Sequence, residues 1–261
     1  VRDLSFQFHR LNSTGNTFIL CDLDTQPFSK EDRPGVARRL CSQFVGFRSD
    51  GFIFLKQLSE SQFEWDFYNA DGSQAEMCGN ATRAVACYLQ IQKPVNLKTQ
   101  IGEVTLASKD LKKGIFSSQW SIQSETHWEQ EIEFQGHFVT YDFCDTGVPH
   151  GIVEMDPYIE LARKLRHLKA HNSNGMNVTF VESQSPGEVI AVTYERGVED
   201  FTLSCGTGAV AAAIWSKELN PELKSHQIQM PGGALLVTFK EDSLIELSGL
   251  SKLDFKFEVN L

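Results

Sequence analysis

Along the first half of the chain, apolar residues fall in short runs divided by polar clusters, the pattern of strands joined by turns. Residues 6–20 contain two such runs, split by Asn12-Ser13-Thr14-Gly15-Asn16, a turn-forming cluster. Residues 33–44 space their apolar positions differently, predicting a helix with Val36, Leu40, Cys41 and Phe44 on one face. Residues 52–55 and 63–68 read as strands around a polar loop. After Asn69-Ala70-Asp71-Gly72-Ser73 comes Cys78-Gly79-Asn80 and then an unbroken Ala-rich stretch, which predicts a buried helix beginning at about Asn80.

The second half repeats this plan. Strand-like residues at 134–142 lead to Asp145-Thr146-Gly147-Val148-Pro149-His150. A helix is predicted over 157–170, with Pro157 in its first turn and Leu161, Leu165 and Leu168 on one face. Strands at 178–182 and 189–195 run into Arg196-Gly197, and Cys205-Gly206-Thr207-Gly208 opens a second helix of small apolar residues. Cys78 and Cys205 lie 127 residues apart (205 − 78), and the pairs Thr14-Gly15 and Thr146-Gly147 lie 132 apart (146 − 14). Two matches near half of a 261-residue chain point to an internal duplication, hence to two similar domains rather than a solenoid. The expected domains are residues 1–115, completed by the last strand-like segment at 250–261, and residues 116–249.

Composition narrows the function classes. Hydrophobic residues make up 41% and charged residues 22%, a globular rather than a disordered balance. With 24 basic against 34 acidic residues the net charge is −10, which argues against a nucleic-acid binder and against a polybasic membrane anchor. No apolar stretch approaches the roughly 18 residues of a membrane span, and no basic segment followed by an apolar run marks a signal peptide. A soluble, cytoplasmic protein is the expectation. The six cysteines (Cys21, Cys41, Cys78, Cys87, Cys144 and Cys205) include no CxxC pair, so neither a zinc ribbon nor a thioredoxin-type motif is available, and reduced thiols are expected.

Cys78 and Cys205 stand out because each precedes a predicted helix. A helix N-terminus offers unpaired N–H groups and about half a positive charge, which stabilises a thiolate. The glycine after each cysteine lets a ligand approach the backbone, and Asn80 and Thr207 can cap the helix. If the two domains face each other, two activated thiols flank one cleft, with anion-binding helix ends between them. Inverting an α-carbon needs one base to remove the proton and one acid to return it on the opposite face, roles that a thiolate and a thiol can exchange without a pyridoxal lysine.

At these residues the chain resembles the diaminopimelate epimerase family, the cofactor-independent two-cysteine amino-acid epimerases. The likeness runs from Ser13-Thr14-Gly15-Asn16-Thr17-Phe18 to Met230-Pro231-Gly232-Gly233. It is strongest in Asn69-Ala70-Asp71-Gly72-Ser73 with Cys78-Gly79-Asn80, and in Tyr194-Glu195-Arg196-Gly197 with Cys205-Gly206-Thr207-Gly208; Pro149-His150 and Asn177-Val178 add to it. The resemblance implies an α/β (α+β) fold of two similar domains, each a mixed, largely antiparallel sheet wrapped around a central helix. It implies interconversion of LL- and meso-diaminopimelate, for lysine and the bacterial cell wall, without a cofactor, and a homodimer. By motif, Cys78 and Cys205 correspond to the acid/base pair. Gly79, Asn80, Gly206 and Thr207 correspond to the holders of the reacting carboxylate, and Asn69, Asn177 and Arg196 to those of the distal carboxylate. Asn16 and Glu195 would fix the amino groups or orient the substrate, and His150 would lie near the reacting centre.

The residues themselves leave alternatives. Arg196 suits a bidentate carboxylate fork and Glu195 an ammonium, yet without the neighbouring motif the pair reads more readily as an ordinary surface ion pair. Asn69 and Asn177 fit turns, and His150 fits a satisfied loop histidine. Thr17 stands where the family usually has aspartate, Val148 where asparagine is common, and Ala81-Thr82-Arg83-Ala84 where Gly-Ala-Arg-Cys is frequent. These departures bear on substrate preference rather than on the thiol chemistry. A glutamate or broader amino-acid racemase and a catalytically idle amino-acid-binding protein are the competing readings. His167 and His171 have i,i+4 spacing, but a basic helix C-terminus explains them better than a metal site, and no metal is expected.

Overall fold

Thr14 and Gly15 both adopt positive φ (52° and 93°), as a two-residue hairpin loop that matches strand twist requires. They join β1 (Ser5–Ser13) to β2 (Asn16–Asp22), antiparallel with Ser13 opposite Asn16. The structure, a computed structural model, describes residues 5–44, 46–75, 77–122 and 125–260. From β2 the chain passes through α1 (Arg33–Cys41) to β3 (Gly51–Gln57), parallel to β2, and returns antiparallel along β4 (Gln62–Asn69). It then passes through α2 (Gly79–Leu89) to β5 (Val95–Thr99), parallel to β4, before β6 (Gly102–Asp110) and β7 (Ile115–Ser121) continue antiparallel.

The same order recurs. After the hairpin of β8 (Thr126–Phe134) and β9 (His137–Asp145), β10 (Pro149–Glu154) leads through α3 (Ile159–Arg166) to a parallel β11 (Asn177–Ser185). β12 (Glu188–Glu195) runs antiparallel to β11 and carries the short β13 (Asp200–Phe201) beside it. α4 (Gly206–Leu219) then connects to β14 (Ser225–Met230), parallel to β12, followed by β15 (Gly233–Phe239) and β16 (Leu244–Asn260). Each half thus holds two strand–helix–strand crossovers between parallel neighbours in an otherwise antiparallel sheet, and the chain is a mixed α+β duplication.

The chain folds into two compact units, Val1–Gln119 with Ser248–Leu261, and Trp120–Leu247. Within the first, β16 returns to β1, pairing antiparallel from Ser5 opposite Asn260 to Ser13 opposite Ser251, with an irregularity at Arg10/Leu11. Phe8, Ile19, Leu40, Phe52, Phe54 and Tyr68 form one core cluster there, and Tyr141, Phe143, Leu161, Leu165, Phe180 and Tyr194 form another in the second unit. Each such side chain contributes about 1.5–3 kcal/mol by leaving water. The second helix of each half is central: α2 is buried from Gly79 to Cys87 and packs on β1, β2 and β6, while α4 is touched by β9, β10, β11, β12, β14 and β15. Small residues on all faces are what let strands approach a helix from several sides.

Three sequence expectations need correction. The first helix ends at Cys41, because the carbonyls of Leu40, Cys41 and Ser42 are taken by the N–H groups of Phe47, Ser49 and Gly46; Phe44, expected on its apolar face, is 87% exposed. α3 begins at Ile159 and stops at Arg166, so Pro157 and His171 lie outside it. Its last turn tightens through Leu168 N–H to Leu165 O, and Met176 N–H takes the Arg166 carbonyl. His171 instead stacks on Phe143 and His127 and contacts the Tyr141 hydroxyl at 3.1 Å. The strand expected over 134–142 is the hairpin turn plus most of β9, and its partner β8 has no counterpart among the expected strands. Among the described residues no helix is long and apolar enough to cross a membrane.

Candidate functional site

Cys78 and Cys205 occupy equivalent places, one in each unit. Each is the residue just before a central helix, in extended backbone conformation (φ −146°, ψ 114° for Cys78; φ −128°, ψ 114° for Cys205). That is the conformation of a residue about to enter a helix, beside the unpaired N–H groups of the first turn. Cys205 Sγ accepts from Gly208 N–H at 3.3 Å and lies 3.4 Å from Thr207 Oγ1, and its own N–H points to Met230 Sδ at 3.4 Å. Cys78 is half-buried. The remaining four cysteines sit in the cores, where burial pushes the thiols of Cys21 and Cys41 up to about 12 and that of Cys87 to about 11, and raises Cys144 as well.

At the start of α2, Asn80 Nδ2 donates to Asn16 Oδ1, and Asn80 Oδ1 accepts from Arg83 at 2.7 Å. The same guanidinium donates to Thr14 Oγ1 and to the Gly79 carbonyl, both at 3.2 Å. Thr14 is a non-glycine residue at positive φ, held there by its N–H and hydroxyl on the Leu250 carbonyl (3.1 and 3.2 Å). Asn16, Gly79 and Asn80 therefore gather around one helix end. Asn69 does not join them by a hydrogen bond of this kind: its amide donates to Ser73 Oγ at 3.0 Å and closes the turn after β4. Thr17 gives its N–H and hydroxyl to Asp50 Oδ2 (2.7 and 3.1 Å), so a carboxylate stands beside the position where the resemblance implies one.

In the second unit a chain of hydrogen bonds runs into the start of α4. Parallel pairing of β10 and β11 sets His150 opposite Asn177. His150 Nε2 lies 3.0 Å from Thr207 Oγ1 and 3.3 Å from Asn177 Nδ2; Nδ1 lies 3.0 Å from Thr179 Oγ1, which meets Thr193 Oγ1 at 3.1 Å. His150 is fully buried, and burial, followed by the Arg196 charge, pulls its pKa down to about 3, so the ring is neutral. With the Asn177 amide donating to Nε2, the ring proton is assigned to Nδ1 and donated to Thr179. Asn177 Oδ1 accepts the Arg196 backbone N–H at 2.7 Å, and Arg196 Nη1 donates to Gly175 O at 3.2 Å. Glu195 Oε1 accepts from Thr202 at 2.5 Å. His150, Asn177, Arg196, Cys205, Gly206 and Thr207 thus form one constellation.

Several members of these networks carry no role that the sequence alone assigns. Thr179 was legible in principle, since it lies two residues after Asn177 on the same strand face. Arg83 was visible in its motif, but its burial was not. Gly208 is required sterically: a methyl there would collide with Thr193 Oγ1 and press on Cys205 Cβ and Sγ at 3.1 and 3.3 Å. A cavity of about 890 Å³ lies at the other end of α4, lined by Trp128, Lys217, Glu218, Phe239 and Lys240 among others, and shares no residue with either cysteine constellation. Among the described residues no three His, Cys, Asp or Glu side chains gather as a metal site.

A duplicated α+β fold that presents a cysteine and then a glycine at the start of each central helix has the make-up of the two-cysteine amino-acid isomerases. The model of the diaminopimelate epimerase family matches residues 11–118 and again residues 143–250, and the chain belongs to that family. The two matches begin 132 residues apart (143 − 11), which fits the duplication seen in the motifs. Diaminopimelate epimerase of Campylobacter jejuni strain RM1221 is 32% identical over 97% of this chain and 98% of its own. That of Flavobacterium psychrophilum is 30% identical over 98% and 100%. Among solved structures, a Bacillus anthracis phenazine biosynthesis protein of the PhzF family superposes with a TM-score of 0.74 at 11% identity, covering 99% of this chain and 100% of that one, a likeness of fold.

Proposed function

We propose that this protein interconverts LL- and meso-2,6-diaminopimelate by two-base proton transfer, supplying the meso form for lysine and peptidoglycan synthesis. One thiolate removes the α-proton and the other thiol returns a proton to the opposite face, so the two exchange states at each turnover. The observation that carries the reading is that Cys78 and Cys205 hold the same place before a buried helix in both halves of a duplicated family fold. The units Val1–Gln119 with Ser248–Leu261 and Trp120–Leu247 serve as the two epimerase domains. The N–H groups of Gly79, Asn80, Gly206 and Thr207 receive the reacting carboxylate and the negative charge that builds on it. Arg196, with Asn69 and Asn177, receives the distal carboxylate, while Asn16 and Glu195 orient the ammonium groups. His150, neutral and bonded to Thr207, fixes the hydroxyl beside Cys205. The enzyme acts in the cytoplasm as a homodimer, a state supported by the exposed aromatic patch of Phe47 and Phe255.

The test is incubation with LL-diaminopimelate in heavy water, following α-deuterium and stereochemistry together, for the parent, Cys78→Ala and Cys205→Ala, with L-glutamate in parallel. Deuterated meso product from the parent and its loss in both variants is the expected result. Turnover of glutamate alone would move the substrate, and exchange of neither would leave a binding protein.

A further inference from the structure

α2 contains a side chain that the duplication does not repeat. Position 83 is arginine, whereas the residue 127 positions later in α4 is Val210, an ordinary core residue. Arg83 is also fully buried, close to the N-terminal end of its helix. Two effects oppose a cation there: loss of hydration and the partial positive charge of the helix terminus. Helical side chains lean toward the N-terminus, so the guanidinium comes to lie over the first turn, on Gly79 O, Asn80 Oδ1 and Thr14 Oγ1. These acceptors are neutral, and among the described residues Arg83 Nε has no hydrogen-bond partner.

Among the described residues no carboxylate pairs with Arg83. β1, β2 and β6 pack on α2, and their titratable groups are otherwise placed. His9 meets the Tyr88 ring edge-on and Asp22 takes the Tyr88 hydroxyl at 3.0 Å, both at the last turn of α2, where Tyr88 sits. Arg10 pairs with Asp254 and Asp110 with Lys113; Glu103 is exposed, Cys21 is a buried thiol, and Lys109 carries Arg83's own sign. The charge that favours the guanidinium against burial is Cys78. A buried arginine is almost never retained unpaired, and among the described residues the anion that acts on this one is the Cys78 thiolate.

We propose that Arg83 is a positioning residue: its buried guanidinium, clamped on Asn80, Thr14 and Gly79, holds Cys78 as the thiolate at the start of α2. This rests on the assignment of Cys78 as one of the two acid/base thiols, and it makes Cys78 the resting base.

The experiment is pulse alkylation with iodoacetamide across about pH 5 to 10, without substrate, on the parent, Arg83→Gln and Arg83→Lys. Peptide mass spectrometry reads Cys78 and Cys205 separately. In the parent, Cys78 should reach half-maximal rate below the ordinary thiol value of about 8.5. Arg83→Gln should raise that midpoint by about 1 to 2 pH units, and Arg83→Lys, which keeps the charge, should restore most of the difference. Cys205 should move by less. A Cys78 profile in Arg83→Gln that overlays the parent's overturns the proposal, and so does an equal shift at both cysteines, which reports a loosened fold. Should Arg83→Gln fail to fold, Arg83→Lys decides: a Cys78 midpoint at the ordinary thiol value, in a folded variant that retains the charge, overturns the proposal, and one below it supports it. Because the free protein is read, a shifted Cys78 profile without turnover of diaminopimelate would fail the proposed function and leave the role of Arg83 standing.

Discussion

Replacing His150 by glutamine should flatten the loss of stability that the protein suffers on mild acidification. His150 is fully buried between Thr179 and Thr207, and its pKa is drawn down to about 3 from an ordinary 6.5. Near neutral pH the ring is uncharged in both folded and unfolded chains and contributes no pH dependence. Below 6.5 the unfolded chain takes up a proton that the folded one refuses, so stability falls with pH, and the fall levels off near 3. At about 1.36 kcal/mol for each pH unit below 6.5, the loss at pH 5 is about 2 kcal/mol. His9, His171 and His226 are also lowered by burial and add losses of the same sign, but they are common to parent and variant. The measurement is therefore a double difference: urea unfolding by tryptophan fluorescence at about pH 7.5 and pH 5, for parent and His150→Gln. Glutamine can bridge both threonines without titrating. Equal losses in the two proteins between the two pH values would refute the account of His150 as a neutral buried ring.

Three further outcomes follow from the geometry. Gly208→Ala should displace Cys205 and Thr193, lowering stability by about 1–3 kcal/mol and kcat by about a hundredfold, read from unfolding curves and epimerisation rates. At about pH 8, in the folded protein, a thiol reagent should modify Cys78 well before Cys21, Cys41 or Cys144, whose thiols are buried and raised; peptide mapping after partial alkylation checks the order. Leu165→Ala on the buried face of α3 should cost about 2–5 kcal/mol while leaving the rate per folded molecule unchanged, since α3 contributes no residue to the cysteine constellations.

The duplicated plan was legible because its markers are local. Thr14-Gly15 writes a tight turn, and a cysteine, a glycine and a run of alanines write a helix that must be buried. What was not legible depended on tertiary hydrogen bonds or on broken periodicity. β8 alternates apolar and acidic residues in its second half, but the register shifts between His127 and Gln130, where Glu129 takes positive φ, and the alternation is lost across that point. The end of α3 is fixed by Met176, ten residues beyond it, so the leucine spacing that runs on to Leu168 overstates its length. The cysteines and their glycines were visible in the candidate site from helix chemistry. Asn69 and Asn177 were ambiguous between turn and ligand, and the structure shows their amides engaged in turn and backbone bonds. Arg83 was hidden for a different reason: nothing local tells a solvated arginine from one sealed under a helix end.

The last strand also affects the order in which the protein can be made. Ser5 lies opposite Asn260, so β1, which pairs with β2 on one side, emerges from the ribosome long before β16, its partner on the other. The unit Trp120–Leu247 is continuous in sequence, and every strand pair within it can close as soon as that stretch has been translated. The second half is therefore free to mature before the first, the reverse of the usual N-terminal-first order, and the side of β1 that β16 covers remains open while the whole of the second unit is translated.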